Sequence, residues 1–369
     1  MLIRNRCGKS LRARVIAGLL LLPFALQVAL AGDSTKQVSS VCSRVQIFYY
    51  DWYGAPPMQK SFIHWEQGGH VPPEDIGSNY YPMLGAYSST DPAVLKKHME
   101  WIRQAGVGVL VVTWWGPESY TDRNAKNVLD AAGEAGLKVA FHIEPYPGRT
   151  PMSVADDVSY ILGRYGHHPA FYRTDFNGGK ALFYVFESVR STAAEWKRGN
   201  QRIHSGPEPV LMIAQTSNVS FVRDGDFDGG YTYDGLAPFK HAGFSAHWED
   251  VERSFEAAGK VFIPSLGPGY WDDRAVRGGG AVEPEASRTR DNGTAKSYDR
   301  VWNDAIDARP PIITITSFNE WHEGSQIEPV VEHTAGDYQF PSYGKDPFEY
   351  LNRTAKHVQQ YKAAIRCNK

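Results

Sequence analysis

Pro311-Ile312-Ile313-Thr314-Ile315-Thr316 runs directly into Ser317-Phe318-Asn319-Glu320-Trp321-His322-Glu323. The first six residues are apolar or β-branched and read as a buried strand. Such a strand ordinarily gives way to a turn built from Gly, Asn or Asp. This one gives way to an amide, two carboxylates three residues apart, an indole and an imidazole. Those groups are costly to bring near a core and useful for moving protons. In an extended strand, residues three apart face opposite sides, whereas in a helical turn their Cβ atoms lie about 5–6 Å apart. A turn after Glu320 would set both carboxylates beside one substrate bond.

Seven more apolar or β-branched runs precede this one, at 45–50, 107–115, 137–143, 181–186, 210–214, 229–233 and 260–264. Helical patterning fills the gaps, clearest at 93–105, 124–135, 154–165, 246–258 and 297–308. Strands that alternate with helices pair in parallel through right-handed crossovers. Eight such units predict an α/β chain, a single-domain (β/α)8 TIM barrel with long βα loops. No low-complexity linker or internal repeat divides it. The longest insertions, 54–90 after the first strand and 271–296 after the seventh, exceed ordinary connections and suggest functional loops. Residues 75–82 are aromatic enough to form an ordered cleft wall.

In such barrels the C-terminal strand ends carry the chemistry. Here those ends include Tyr49-Tyr50-Asp51-Trp52-Tyr53, Thr113-Trp114-Trp115, His142-Ile143-Glu144, Phe186-Glu187-Ser188 and Tyr231-Thr232-Tyr233-Asp234. A lone Trp or Tyr there would be a core or rim residue, but carboxylates, amides and aromatics recur at nearly every end. Trp and Tyr present an apolar face with a polar handle, which suits a sugar's C–H face and hydroxyl rim. Paired carboxylates on such platforms, with no metal or nucleotide motif, point to glycoside hydrolysis. A sugar-binding barrel without catalysis is the competing reading, although binding alone does not need a paired acid and base.

Residues 1–31 stand apart. Arg4, Arg6, Lys9, Arg12 and Arg14 precede the apolar run 15–26, and Ala29-Leu30-Ala31 follows. That pattern is a secretory signal peptide, with a retained signal anchor as the alternative. Pro23, Gln27 and the short apolar run argue against a stable span of about 20 residues. Removing its five positive charges and no acid takes the formal net charge from −2 to −7. The catalytic domain is expected over 32–369, secreted or periplasmic, or in the Golgi lumen if anchored. A mildly acidic domain without a basic run excludes nucleic acid as a partner. A monomer is expected, without stable membrane insertion once the signal is gone. Cys42 and Cys367 form an even pair that, in an exported protein, reads as a disulfide tying the domain's ends. No metal or cofactor spacing occurs, and neither is expected.

At these residues the chain resembles glycoside hydrolase family 99, the endo-α-1,2-mannosidases and endo-α-1,2-mannanases. The matching segments are 48–54 (FYYDWYG), 75–89 (DIGSNYYPMLGAYSS), 108–115 (GVLVVTWW), 141–146 (FHIEPY), 261–270 (VFIPSLGPGY) and 317–329 (SFNEWHEGSQIEP). The resemblance implies cleavage of α-1,2-mannosidic links in an α-mannan or a high-mannose glycan, with retention but without a glycosyl-enzyme ester. The substrate's own 2-hydroxyl would attack the anomeric carbon and give a 1,2-anhydro sugar. Glu320 would assist deprotonation of that hydroxyl. Glu323 would protonate the leaving oxygen and then activate water. Another α-linked glycan on the same scaffold is the rival substrate.

The candidate substrate-binding residues are Tyr50, Trp52, Trp114, Trp115, Glu144, Tyr231 and Asn319, with Asp51 expected to line the site beside Tyr50 and Trp52. Glu144 reads as a hydroxyl ligand, a carboxylate behind one, or a buried partner of an Arg. Glu328 reads equally as structural or as a support to the site. His142 and His322 read as satisfied barrel histidines.

Overall fold

Eight parallel strands carry the chain around a barrel: β1 (Cys42–Tyr49), β2 (Val107–Trp114), β3 (Lys138–Ile143), β4 (Ala181–Val185), β5 (Val210–Gln215), β6 (Gly229–Tyr231), β7 (Val261–Ile263) and β8 (Ile313–Ile315). A computed structural model describes residues 41–233, 245–275 and 295–365. These lie within one compact unit, Ser39–Lys369. All eight expected strands are present. The register runs from β1 through β6 to β7, while β8 pairs on the other edge of β1. Strand seven closes the ring in two pieces. Val261–Ile263 pairs with β6 and Ser265–Leu266 pairs with β8. Pro264, which has no N–H to give, sits at the break and accepts from Thr314 N–H at 3.0 Å.

The helices begin where side chains cap them. Asp91 caps α1 (Pro92–Gln104), Ser119 caps α2 (Tyr120–Glu134), and Thr150 forms a capping box with Ser153 on α3 (Pro151–Tyr165). Thr192 and Glu195 do the same for α4 (Ala193–His204). The layer continues with α5 (Val219–Asp224), α6 (Trp248–Ala257), α7 (Lys296–Ala308) and α8 (Glu349–Ala364). The Ser119 cap explains why α2 starts four residues before its apolar periodicity does.

Phe48, His142, Tyr184 and Tyr231 come from different strands and meet at ring separations of 4.8–6.5 Å. They fill the barrel interior with aromatic rather than branched aliphatic side chains. Tyr184 donates to Gln46 Oε1 at 2.9 Å, so the buried amide is satisfied.

The insertion after β1 is ordered, with Ile76, Ser78, Asn79, Tyr80 and Tyr81 all buried. Tyr81–Pro82 pairs with Val330–Val331, joining it to the segment after β8. Arg274 donates to Asp75 and lies 3.8 Å over the ring of Tyr338, pinning the chain after β7 to both. This confirms an ordered wall at 75–82; residues 276–294 of the seventh insertion lie outside the described residues.

No helix among the described residues is long and apolar enough to cross a membrane. The expected signal segment, and Cys367 of the expected Cys42 pair, also lie outside the described residues.

Candidate active site

No helix follows β8 directly. The chain turns over Trp321–Gly324, so Glu320 and Glu323 flank a single turn at the top of the barrel. Gly324 closes that turn with φ +65°, and a Cβ there would lie 2.2 Å from the carbonyl oxygen of Trp271. Only glycine fits both demands. The turn is anchored at its start by Ser317 Oγ, which accepts from Glu320 N–H at 2.8 Å, and at its end by Trp271 N–H, which donates to the Glu323 carbonyl at 2.9 Å.

Glu320 is buried, and its two oxygens are in different situations. Oε1 accepts from the backbone N–H of His322 at 3.1 Å, while Oε2 is enclosed with no partner. Burial first, and the charge of Glu323 second, push the Glu320 carboxyl well above the ordinary carboxylate range. His322 does not relieve this. Burial lowers its pKa to about 3, so the ring is neutral. Its Nε2 donates to the His64 carbonyl at 2.8 Å, which leaves Nδ1 unprotonated, 3.7 Å from Glu320 Oε1.

Glu323 Oε2 accepts from the hydroxyl of Tyr233 at 3.0 Å. Tyr233 hydrogen-bonds in turn to the hydroxyl of Tyr50. Burial holds both phenols well above their usual pKa, so both keep their protons. With Tyr233 donating to Glu323, its oxygen accepts from Tyr50, and the chain of donors runs one way toward the carboxylate. Tyr233 belongs to the site, although the sequence reading picked Tyr231 from the same run.

Trp52 packs against Tyr50 at 4.9 Å, Trp115 at 5.9 Å and the stacked ring of His64 at 4.6 Å. The indole N–H groups of Trp52 and Trp115 are both buried without an acceptor. A buried donor with no partner is uncommon and marks a place where a ligand acceptor can dock. His64 was not anticipated. It lies in a long loop, in a left-handed conformation (φ 68°) that only the folded loop reveals.

Four expected residues are placed differently. Trp114 is fully buried facing the helices, its indole N–H donating to Asp122 at 2.9 Å and its ring near Tyr160. Asp51 also faces outward. Its carbonyl takes the Asn124 amide at 3.4 Å, its carboxyl is enclosed without a partner, and burial pushes that carboxyl's pKa up. Alternation along the strand explains both: neighbours of cleft-facing residues point to the helix layer.

Tyr231 lies below the site, within the barrel, 2.6 Å from His142 Nε2. Asn319 is fully buried and clamps β1 to the turn, accepting from Tyr50 N–H at 2.7 Å and donating to its carbonyl at 2.8 Å. It positions Tyr50 and Glu320 by holding the backbone.

Glu144 is buried at the end of β3, with Oε1 2.8 Å from His142 Nδ1. The approach is out of line with the ring N–H, and neither atom makes a hydrogen bond. Glu328 is structural. It is fully buried, 3.1 Å from His98 Nε2, and accepts from Tyr87 at 2.7 Å and Trp321 Nε1 at 3.2 Å. Tyr49 closes the network on His98 Nδ1 at 2.9 Å. Three donors surround one buried carboxylate, beside the turn that holds Glu320. No cluster of His, Cys, Asp and Glu suited to a metal occurs among the described residues.

The model of glycosyl hydrolase family 99 matches residues 41–363. A glycoprotein endo-alpha-1,2-mannosidase of Xenopus laevis is 37% identical over 354 residues, covering 86% of this chain and 77% of its own. Its counterpart in Mus musculus is 36% identical over 348 residues, covering 85% and 74%. Among solved structures, the GH99 endo-alpha-mannosidase from Bacteroides thetaiotaomicron is similar with a TM-score of 0.80. It shares 37% identity, over 88% of this chain and 99% of that one.

Proposed function

The chain belongs to glycosyl hydrolase family 99 and is a glycoside hydrolase, and on that premise we propose that it cleaves internal α-1,2-mannosidic links of a mannan or an N-glycan with retention of configuration. The sugar's 2-hydroxyl oxygen attacks C1 as the C1–O bond to the leaving group breaks. Glu320 takes the hydroxyl proton and Glu323 gives its own to the departing oxygen. Water then attacks C1 of the 1,2-anhydro sugar and the C1–O2 bond opens. Glu323 takes the water's proton, and Glu320 returns its proton to O2. Both carboxyls end as they began. The scheme differs from the usual one, in which a carboxylate is itself the nucleophile. An axial 2-hydroxyl anti to the leaving group is already in the molecule, so positioning it costs little further entropy.

The observation that carries this reading is the unpartnered, buried Oε2 of Glu320 in a carboxyl whose proton affinity is raised. A base poised closer to working pH holds the transferred proton better. Tyr233, donating to Glu323, supports the acid by orienting it. Trp52, Trp115 and Tyr50 form the sugar platform, and Glu144 faces it as a hydroxyl ligand.

Digestion of an α-1,2-linked mannan, followed by product sizing and early NMR of the new reducing end, tests the proposal. Internal cuts with the α-anomer formed first are expected. Release of single sugars, a first-formed β-anomer, or binding without cleavage would each refute it.

A further inference from the structure

A second concavity opens on the same face beyond Glu144. The segments after β3 and β4 enclose about 240 Å³, lined by Tyr146, Arg149, Arg190, Ser191 and Trp196 together with three prolines. The chain reaches it straight from the cleft, since Tyr146 N–H donates to the Glu144 carbonyl at 2.9 Å. Arg149 is fixed between the two segments. Its guanidinium donates to the Ile143 carbonyl at 3.0 Å and to the Glu187 carbonyl at 3.4 Å.

Glu187 itself is left-handed, with φ 47°. Non-glycine residues held this way gather at ligand-binding loops, where surrounding contacts impose the conformation. Its carboxylate accepts from Arg190 Nη2 through Oε1 at 2.8 Å, while Oε2 lies 2.7 Å from Nε without a hydrogen bond. The Arg190 side chain nevertheless remains 65% exposed.

A planar guanidinium held against a carboxylate presents donors and acceptors side by side, matched to adjacent hydroxyls of a sugar. Drug-sized ligands occupy about 300–1,000 Å³. This smaller space suits one sugar ring. Met152 and Val189, next in sequence to lining residues, are two of only four large apolar side chains exposed among the described residues. Within the lining, the ring of Tyr146 and the prolines supply apolar surface for a ring's C–H face.

We propose that this pocket is a further sugar-binding subsite, taking one more hexose of the same glycan beyond those that lie over Glu320 and Glu323. It rests on the endo-acting reading above, because only an enzyme working within a longer chain has a sugar to place there. It gives the enzyme a preference for extended substrates.

The test compares wild type, Arg190→Ala and Ser191→Trp on polymeric α-mannan and on a disaccharide donor with an aryl leaving group, too short to reach the pocket. Ser191 has extended backbone (φ −113°, ψ 154°), so an indole is accommodated and fills the space. KM for the polymer should rise about tenfold in both variants with kcat held, the scale of one lost anchor. Kinetics on the short donor should not move. Unchanged polymer kinetics in both variants would overturn the subsite. So would matching losses on the short donor, since the change would then reach the cleft. Wild type that cleaves neither substrate would overturn the proposed function and the subsite with it.

Discussion

Replacing Glu320 by Gln should make the protein harder to unfold while it stops turning over substrate. The carboxylate is buried, its Oε1 accepts the backbone N–H of His322, and its Oε2 has no hydrogen-bond partner. Gln keeps the shape and the acceptor at Oε1 and removes the charge. The relief is the desolvation cost of the buried charge less that of the unpaired amide N–H groups that take the place of Oε2, on the order of 1–3 kcal/mol. With about 2.1 cal/mol/K of unfolding entropy per residue, that is roughly 1–4 °C in Tm for a domain this long.

The pH dependence has a definite sign. The folded-state pKa of Glu320 lies above its ordinary value of 4.5. Wild type therefore loses stability as pH rises through that folded value, and the variant does not. The Tm gap should be absent below about pH 4.5, open as pH rises above it, and be full once the raised folded-state value is passed. Loss of a positioned base should lower kcat by about 10²–10⁴-fold. Calorimetry at pH 4 and pH 7, with turnover at each, measures both. An inactive variant whose Tm at pH 7 equals or falls below that of wild type would refute the strained-charge account.

Glu323→Gln should lose hydrolysis to a similar extent but recover in part with an aryl leaving group that needs little protonation, whereas Glu320→Gln should not; equal rescue would reverse the assigned roles. Trp115→Tyr should erode a preference for Man-α-1,3-Man over Glc-α-1,3-Man donors. An indole favours a sugar C–H over an equatorial hydroxyl, and the margin is about 1–3 kcal/mol in kcat/KM; no change would exclude Trp115 from that subsite. His98→Phe should cost roughly 3–5 kcal/mol in urea unfolding, because it leaves the Glu328 carboxylate buried with one donor fewer; a loss under 1 kcal/mol would show that Tyr87 and Trp321 suffice.

All eight strands were legible because buried parallel strands are written in continuous β-branched and apolar runs, as in β2, where every residue is buried. The carboxylate pair was legible because such groups rarely follow such a strand. What failed was the direction of side chains past the strand ends. Period-two alternation separates Tyr50 and Trp52 from Asp51, and Trp115 from Trp114, but applying it requires knowing which residue faces in. Tyr231 and Tyr233 share one parity, and only the level at which β6 stops decides that Tyr233 reaches Glu323. Asn319 misled for another reason. An amide beside the carboxylate turn can bind a ligand or hold backbone, and the sequence does not distinguish them. Gly324 marks the turn in the sequence itself, since a glycine directly after Glu323 permits the left-handed backbone that closes it.

Glu320 and Glu323 ride on one turn locked by Gly324, rather than on opposite strands of the ring. Breathing of the barrel, or drift of the loops after β1 and β7, moves substrate relative to the pair without stretching the pair itself. The carboxyl pair is therefore modular. New chain ends opened at an exposed loop tip elsewhere, as in a circular permutant, would leave it intact. With both carboxyls on one short segment, the rest of the rim is left open to change its taste in glycans.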